Sequence, residues 1–180
     1  MQIVRVDVDT QVGFCLPEGK LYVPAADHVL ANIRALVADA VSRGYPLIGC
    51  VDSHAYDAWE FSENGGPFPA HCVKGTSDWL KIPGTLPPRF RFIPMSDGSL
   101  VIGEDEPGGG IRSYTAAQFS NEARDGVGLY FEKEVYSAFS NPNSRSMLRA
   151  LVDDLGGAEN VVFQVFGYCT GDYCVDAFAR

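Results

Sequence analysis

A strand, a helix and a second strand follow one another near the start of the chain. That order restricts the fold more than any other feature. Residues 2–9 alternate apolar and polar, with Val4, Val6 and Val8 on one face, which is the period of a β-strand. Residues 25–43 carry Val29, Ile33, Leu36, Val37 and Ala40 at helical spacing, with Arg34, Asp39 and Arg43 off the stripe. Gly44 stops this helix and Pro46 prevents its continuation. Leu47-Ile48-Gly49-Cys50-Val51 reads as a short buried strand. Two strands joined by a helix in one sheet lie parallel, with a right-handed crossover. The expected fold is therefore α/β, an open parallel sheet with helices on both faces. Arg5 and Asp7 share the face opposite the valines, which is unusual for a strand buried on both sides. A pair between them, or a partly open face, would account for it.

Further on, residues 128–133 read as a strand ending at Lys133, and residues 144–155 as an amphipathic helix through Leu148, Leu151 and Leu155. Residues 160–166 form an apolar run that reads as a buried strand. Gly167 and Gly171 bracket a turn after it, and a helical pattern begins with Cys174 in its first turn. A long loop over residues 53–76 holds His54 and His71. From 78 to 126 the pattern weakens, with five prolines and Gly108-Gly109-Gly110. That stretch is expected to be an insertion or cap, in which 90–93 and 100–102 pair as a hairpin over Ser96-Asp97-Gly98. At 180 residues and without an internal repeat, the chain is expected to be a single domain over 1–180.

The net charge of -9 argues against nucleic acid or an anionic membrane as partner. No stretch is long and apolar enough to span a bilayer. The N-terminus is a strand pattern and not a signal peptide. Cys15, Cys50, Cys72, Cys169 and Cys174 are odd in number and lack framework spacing, so reduced thiols in a cytoplasm are expected.

Four strands end on a polar group: Asp9, Asp52, Lys133 and the turn leading to Cys174. In an open parallel sheet such ends converge on one crevice, where ligands bind. Each residue alone reads first as an ordinary solvated position after a strand. Cys174 alone reads equally as a small buried cysteine, although a thiol at a helix start is stabilised as thiolate and can act as a nucleophile. Asp52, His54 and His71 form an N,N,O set able to hold a divalent metal ion, Zn²⁺, Mn²⁺ or Fe²⁺; solvated loop histidines are the plainer alternative.

Together these residues resemble a known family. Asp9-Thr10-Gln11-Val12-Gly13-Phe14 resembles the D-x-Q-x-x-F opening of the isochorismatase-like cysteine hydrolases, and residues 19–26 the segment that follows it in nicotinamidases. Asp52-Ser53-His54 is similar to their D-x-H, and residues 68–76 to their aromatic-P-x-H-C-x-x-G-T. Residues 133–139 resemble a K-x-x-Y-S-A-F form of the lysine motif, and Asp172-Tyr173-Cys174-Val175 the nucleophile box. Three features depart from the pattern: an extra glycine in Thr170-Gly171-Asp172, the longer stretch over 78–126, and the end at Arg180. The family fold would add a further strand and helix there, so a truncated C-terminus is expected.

The resemblance implies a metal-dependent nicotinamidase, an amidohydrolase converting nicotinamide to nicotinate and ammonia in NAD salvage. Cys174 would attack the amide, Asp9 would act as base and then acid, and Lys133 would be the fixed cation. Backbone N–H groups of Cys169 and Cys174 would form the oxyanion hole, with a cis peptide at Tyr168–Cys169. Phe14, Phe68, Tyr136 and Tyr173 would contact the substrate, although Phe14 and Phe68 read equally as core aromatics. The metal would bind the pyridine nitrogen. Asp52, His54 and His71 leave its shell under-filled, and the choice falls between Glu60, Glu63 and water. The K-x-x-Y-S-A-F form of the lysine motif favours Glu63. Two other readings stand beside this one: a metal-free hydrolase of another amide or carbamoyl group, and a binding or assembly module on the same fold. A homo-oligomer is left open.

Overall fold

Strand β1, Gln2–Val8, buries Val4, Val6 and Val8 completely, each worth about 1.5–3 kcal/mol of transfer free energy. The computed structural model describes residues 1–96, 100–102 and 111–168. After β1 come a one-turn helix α1 (Val12–Cys15), helix α2 (Leu30–Arg43) and strand β2 (Leu47–Asp52). Gly44 closes α2 in the left-handed region at φ 67, its N–H reaching the carbonyls of Ala40 and Val41. Then follow β3 (Phe90–Ile93), β4 (Leu100–Ile102), β5 (Ile111–Ser113), α3 (Ala116–Arg124), β6 (Gly128–Lys133), α4 (Ser144–Asp154) and β7 (Val161–Gly167).

The main sheet has five strands in the order β3-β6-β2-β1-β7. All its pairings are parallel. One face packs the valines of β1 with Ile48, Cys50, Leu129 and Phe131 against Phe119, Met147 and Leu151 of α3 and α4. On the other side Leu30 and Ile33 of α2 cluster with Phe14, Cys15, Ile82 and Tyr168. The chain leaving β2 goes to the α2 side, where Ile82 packs, and the chain leaving β6 goes to the α4 side. Adjacent strands whose continuations part to opposite faces open a crevice at their carboxyl ends. Asp52 and Lys133 are partners across that point.

Three expectations need correction. Phe90–Ile93 does not pair with Leu100–Ile102: β3 adds to β6 as a parallel edge strand, and β4 pairs antiparallel with β5. The stretch expected as an insertion therefore supplies an edge strand and a crossover helix of the main sheet. Its helix, α3, begins at a capping box in which Thr115 and Gln118 satisfy each other's backbone N–H groups. Nor do Arg5 and Asp7 pair with each other. Arg5 bonds Asp39 of α2 at 2.7 Å, and Asp7 bonds Lys81 at 2.9 Å, so the polar face of β1 is covered by the elements that cross it.

The cysteine turn falls outside the described residues, and with it Cys169, Tyr173, Cys174, the oxyanion hole and the Tyr168–Cys169 bond. What is described is where the chain is delivered. β7 runs beside β1 with Gly167 opposite Val8, and the Tyr168 N–H donates to the Val8 carbonyl at 3.0 Å. Tyr168 therefore stands at the same end of the sheet at which Asp9 leaves β1. Among the described residues no helix is long and apolar enough to cross a membrane.

Candidate active site

Lys133, the last residue of β6, is buried and shared between two carboxylates. Its Nζ lies 3.0 Å from Asp9 Oδ2 and also donates to Asp52 Oδ1. Burial opposes the charge on Asp52, but the Lys133 ammonium and the hydrogen bonds from His54, His71 and Lys133 together outweigh it and hold the carboxyl well below its ordinary range. Asp9 sits at φ 54, a left-handed backbone that a non-glycine residue seldom adopts. The Cys50 thiol donates to Asp9 Oδ1 at 3.4 Å, so both carboxylate oxygens are engaged.

Gln11 fixes the spacing between the ends of β1 and β2. Its Oε1 accepts from the Asp52 N–H at 2.8 Å, and its Nε2 donates to the carbonyls of Asp52 and Trp79. This explains why a glutamine follows two residues after the aspartate: its amide donates and accepts at once.

Asp52 Oδ2 faces two imidazoles, 3.7 Å from the Nε2 of both His54 and His71. The three ligand atoms lie within 4.8 Å of one another, and all three residues are buried. His71 Nδ1 lies 2.8 Å from the Pro69 carbonyl. A donor at Nδ1 leaves Nε2 as the lone-pair nitrogen, the tautomer a metal ligand needs. His54 Nε2 is buried and faces only carboxylate oxygens of this cluster among the described residues.

The carboxylate that joins this group is Glu60, not Glu63. Glu60 Oε1 lies 3.1 Å from His54 Nε2 and 3.3 Å from His71 Nε2, and the residue is buried. Glu63 stands exposed on the 3-10 turn Ser62–Asn64. The backbone accounts for the difference. Phe61 is wholly buried with its ring at the edges of His54 and His71, which turns its neighbour Glu60 inward and starts the turn that carries Glu63 outward. Phe61 was not singled out from sequence, and an aromatic beside the acid was the available signal.

Charge makes the donor set fit a metal. Among the described residues, Asp9, Asp52 and Glu60 bring three carboxylates into a buried site that holds one ammonium, Lys133. Burial raises the Glu60 carboxyl, and Asp52 adds to that. Two imidazoles, two carboxylates and a deficit of positive charge suit a divalent ion.

The aromatic candidates lie on one side of this cluster. Phe14 and Phe68 meet His71 edge-on at 5.7 and 6.1 Å, and Tyr136, partly exposed, meets Phe68 at 6.4 Å. The described cysteines make poor nucleophiles. Cys15, Cys50 and Cys72 are free and buried. Burial pushes Cys15 up to about 12 and raises Cys50 and Cys72 as well.

Residues 5–90 match the family model described as the isochorismatase domain. The fold is isochorismatase-like. No curated protein sequence matches it. Among solved structures, the fold is similar to the nicotinamidase/pyrazinamidase of Bacillus subtilis, at 21% identity over 97% of this chain and 75% of that one, with a TM-score of 0.60. It is also similar to the pyrazinamidase/nicotinamidase of Streptococcus mutans, at 19% identity over 99% and 80%, TM-score 0.61. A third likeness is to the N-carbamoylsarcosine amidase of Thermoplasma acidophilum, at 21% identity over 99% and 74%, TM-score 0.56. In this isochorismatase-like hydrolase fold, Asp9, Lys133 and the acid–histidine cluster all stand at the carboxyl ends of the central strands.

Proposed function

We propose that the chain is a metal-dependent nicotinamidase. The observation that carries this reading is the buried Lys133 held between Asp9 and Asp52, with Asp52 turned on its other side to His54 and His71. One carboxylate thereby joins a base–cation pair to a metal-ligand cluster. Cys174 is the proposed nucleophile; the described cysteines are held protonated by burial, which leaves this role to the cysteine turn.

Asp9 takes the thiol proton and the Cys174 sulfur attacks the amide carbonyl carbon. The negative oxygen accepts from the backbone N–H groups of Cys169 and Cys174. When the C–N bond breaks, Asp9 returns the proton to the leaving nitrogen and ammonia departs, leaving a thioester. Asp9 then deprotonates a water that attacks the thioester, and nicotinate and the thiol are released. Lys133 keeps the Asp9 carboxylate oriented and compensates the charge gathered around it. Phe14, Phe68, Tyr136 and Tyr173 enclose the ring.

Asp52, His54, Glu60 and His71 would hold the metal. Bound there, it would supply a Lewis acid for the pyridine nitrogen and so fix the ring. The reading places the protein among reduced-thiol, cytoplasmic enzymes of NAD salvage. The test is ammonia release from nicotinamide and from N-carbamoylsarcosine, by protein stripped of metal and by protein reloaded with Zn²⁺, Mn²⁺ or Fe²⁺. Metal-dependent release from nicotinamide supports the proposal. Metal-independent release from the carbamoyl compound alone would replace it with the metal-free reading.

A further inference from the structure

A second buried ion pair lies close to the first, and the proposed mechanism does not use it. Lys81 Nζ donates to Asp7 Oδ2 at 2.9 Å, and both side chains are wholly buried. A second donor goes to Thr10 Oγ1 at 2.6 Å, and the ammonium stands 4.4 Å above the Tyr130 ring. Asp7 Oδ1 has no hydrogen-bond partner among the described residues. A buried ion pair with an unsatisfied oxygen is a poor source of stability, because apolar residues of similar volume often replace one without loss.

What the pair does hold is Thr10. The Thr10 hydroxyl accepts from Lys81, and its proton is within reach of Asp7 Oδ2 at 3.1 Å and Thr85 Oγ1 at 3.2 Å. The Thr10 carbonyl accepts from the Ile82 N–H at 3.0 Å. Just before Lys81 the same loop grips the next two residues: the Trp79 carbonyl accepts from Gln11 Nε2, and the Leu80 carbonyl from the Val12 N–H. Thr10 directly follows Asp9, whose left-handed backbone persists only where its surroundings over-determine it.

We infer that the Asp7–Lys81 ion pair, acting through the Thr10 hydroxyl, is a positioning device that sets the Asp9 carboxylate against Lys133. The inference rests on the reading of Asp9 as the catalytic base. Lys81 and Thr10 are positioning residues, since neither is placed against the substrate.

The experiment compares Thr10→Val, which keeps the shape and removes the hydroxyl, with Thr10→Ser, which keeps the hydroxyl. Beside them stands Asp7→Leu/Lys81→Met, which replaces the whole ion pair. Each holoenzyme is assayed with nicotinamide, melted, and crystallised. Thr10→Val is expected to lose kcat roughly 10- to 100-fold, the scale of a small misplacement of a reacting group. KM should stay within about twofold, and Thr10→Ser should retain parental kcat. The double variant is expected to melt like the parent and still show the kcat loss, which a merely structural pair would not produce. In crystals of Thr10→Val, Asp9 should leave its left-handed backbone or its contact with Lys133 should lengthen. Parental kcat in Thr10→Val or in the folded double variant overturns the inference, and so does an unmoved Asp9. Should the double variant fail to fold, Thr10→Val and Thr10→Ser decide alone. If the parent releases no ammonia from nicotinamide, the proposed function fails, and the crystal comparison of Asp9 then decides the positioning role by itself.

Discussion

Burial and charge separate the acidic and thiol side chains of this site into distinct tasks. Three cysteines are sealed in the core with thiols raised by desolvation, so an alkylating agent should not find them in the native protein. Cys174→Ala is expected to abolish ammonia release while leaving fold and metal content unchanged, and Cys169→Ala to retain measurable activity because only its backbone is used. Full turnover by Cys174→Ala, measured under saturating nicotinamide, would remove the covalent mechanism. Glu60 and Glu63 give the sharper comparison. Spacing from Asp52 offered both, and only the buried ring of Phe61 decides which faces the imidazoles. Metal content after dialysis is expected to drop in Glu60→Gln and to stay at the parental level in Glu63→Gln. The opposite pattern would return the fourth position to Glu63.

Elements with one strong period were legible and those assembled from weak local signals were not. β1, α2 and β2 announce themselves by alternation, a helical stripe and a glycine stop. β3 is four residues long, and nothing local to Phe90–Ile93 shows that its partner is β6, far along the chain, and not the next apolar run. α3 is short, but its Thr115-x-x-Gln118 start was a readable signature that the surrounding prolines and glycines obscured. Thr115→Ala is expected to cost about 1 kcal/mol, seen as a lower midpoint in urea, because α3 packs Phe119 and Ala123 into the core. Gly167 is more demanding. Its φ is 138, and a Cβ there would lie 2.0 Å from the Val8 carbonyl oxygen, in the β1–β7 pairing. Gly167→Ala is expected to cost more than the lost cap, about 2–4 kcal/mol, from backbone strain and the displaced strand. A midpoint no lower than that of Thr115→Ala would show that β7 yields without cost.

At the scale of the molecule, the positions of Asp9, Asp52 and Lys133 followed from the sheet, because consecutive parallel strands bring their carboxyl ends together. What could not be read from strand ends is the balance of charge among them, which depends on Glu60 arriving from a loop and on Lys81 being used elsewhere. That balance makes metal, proton and stability one linked system. Burial disfavours the charged form of His71, but hydrogen bonding to Asp52, the Pro69 carbonyl and the charge of Glu60 together outweigh it and raise the imidazole above its ordinary 6.5. A group raised on folding contributes stability that is complete below its unfolded value and is lost as pH rises through its folded value. The metal-free protein should therefore lose this contribution as pH climbs above 6.5. The metal behaves oppositely, since it needs the neutral imidazole and must displace the proton to bind. Stabilisation by a ligand held at 100 times its dissociation constant is about 2.7 kcal/mol, which for a chain of this size is roughly 5–10 °C in Tm. The gap in Tm between metal-loaded and metal-free protein is expected to widen from about pH 6 to about pH 8. Differential scanning calorimetry at a fixed free metal concentration measures it, with Glu60→Gln alongside to show the gap narrowed at both values. A gap that is constant across this range would mean that His71 does not exchange its proton for the metal.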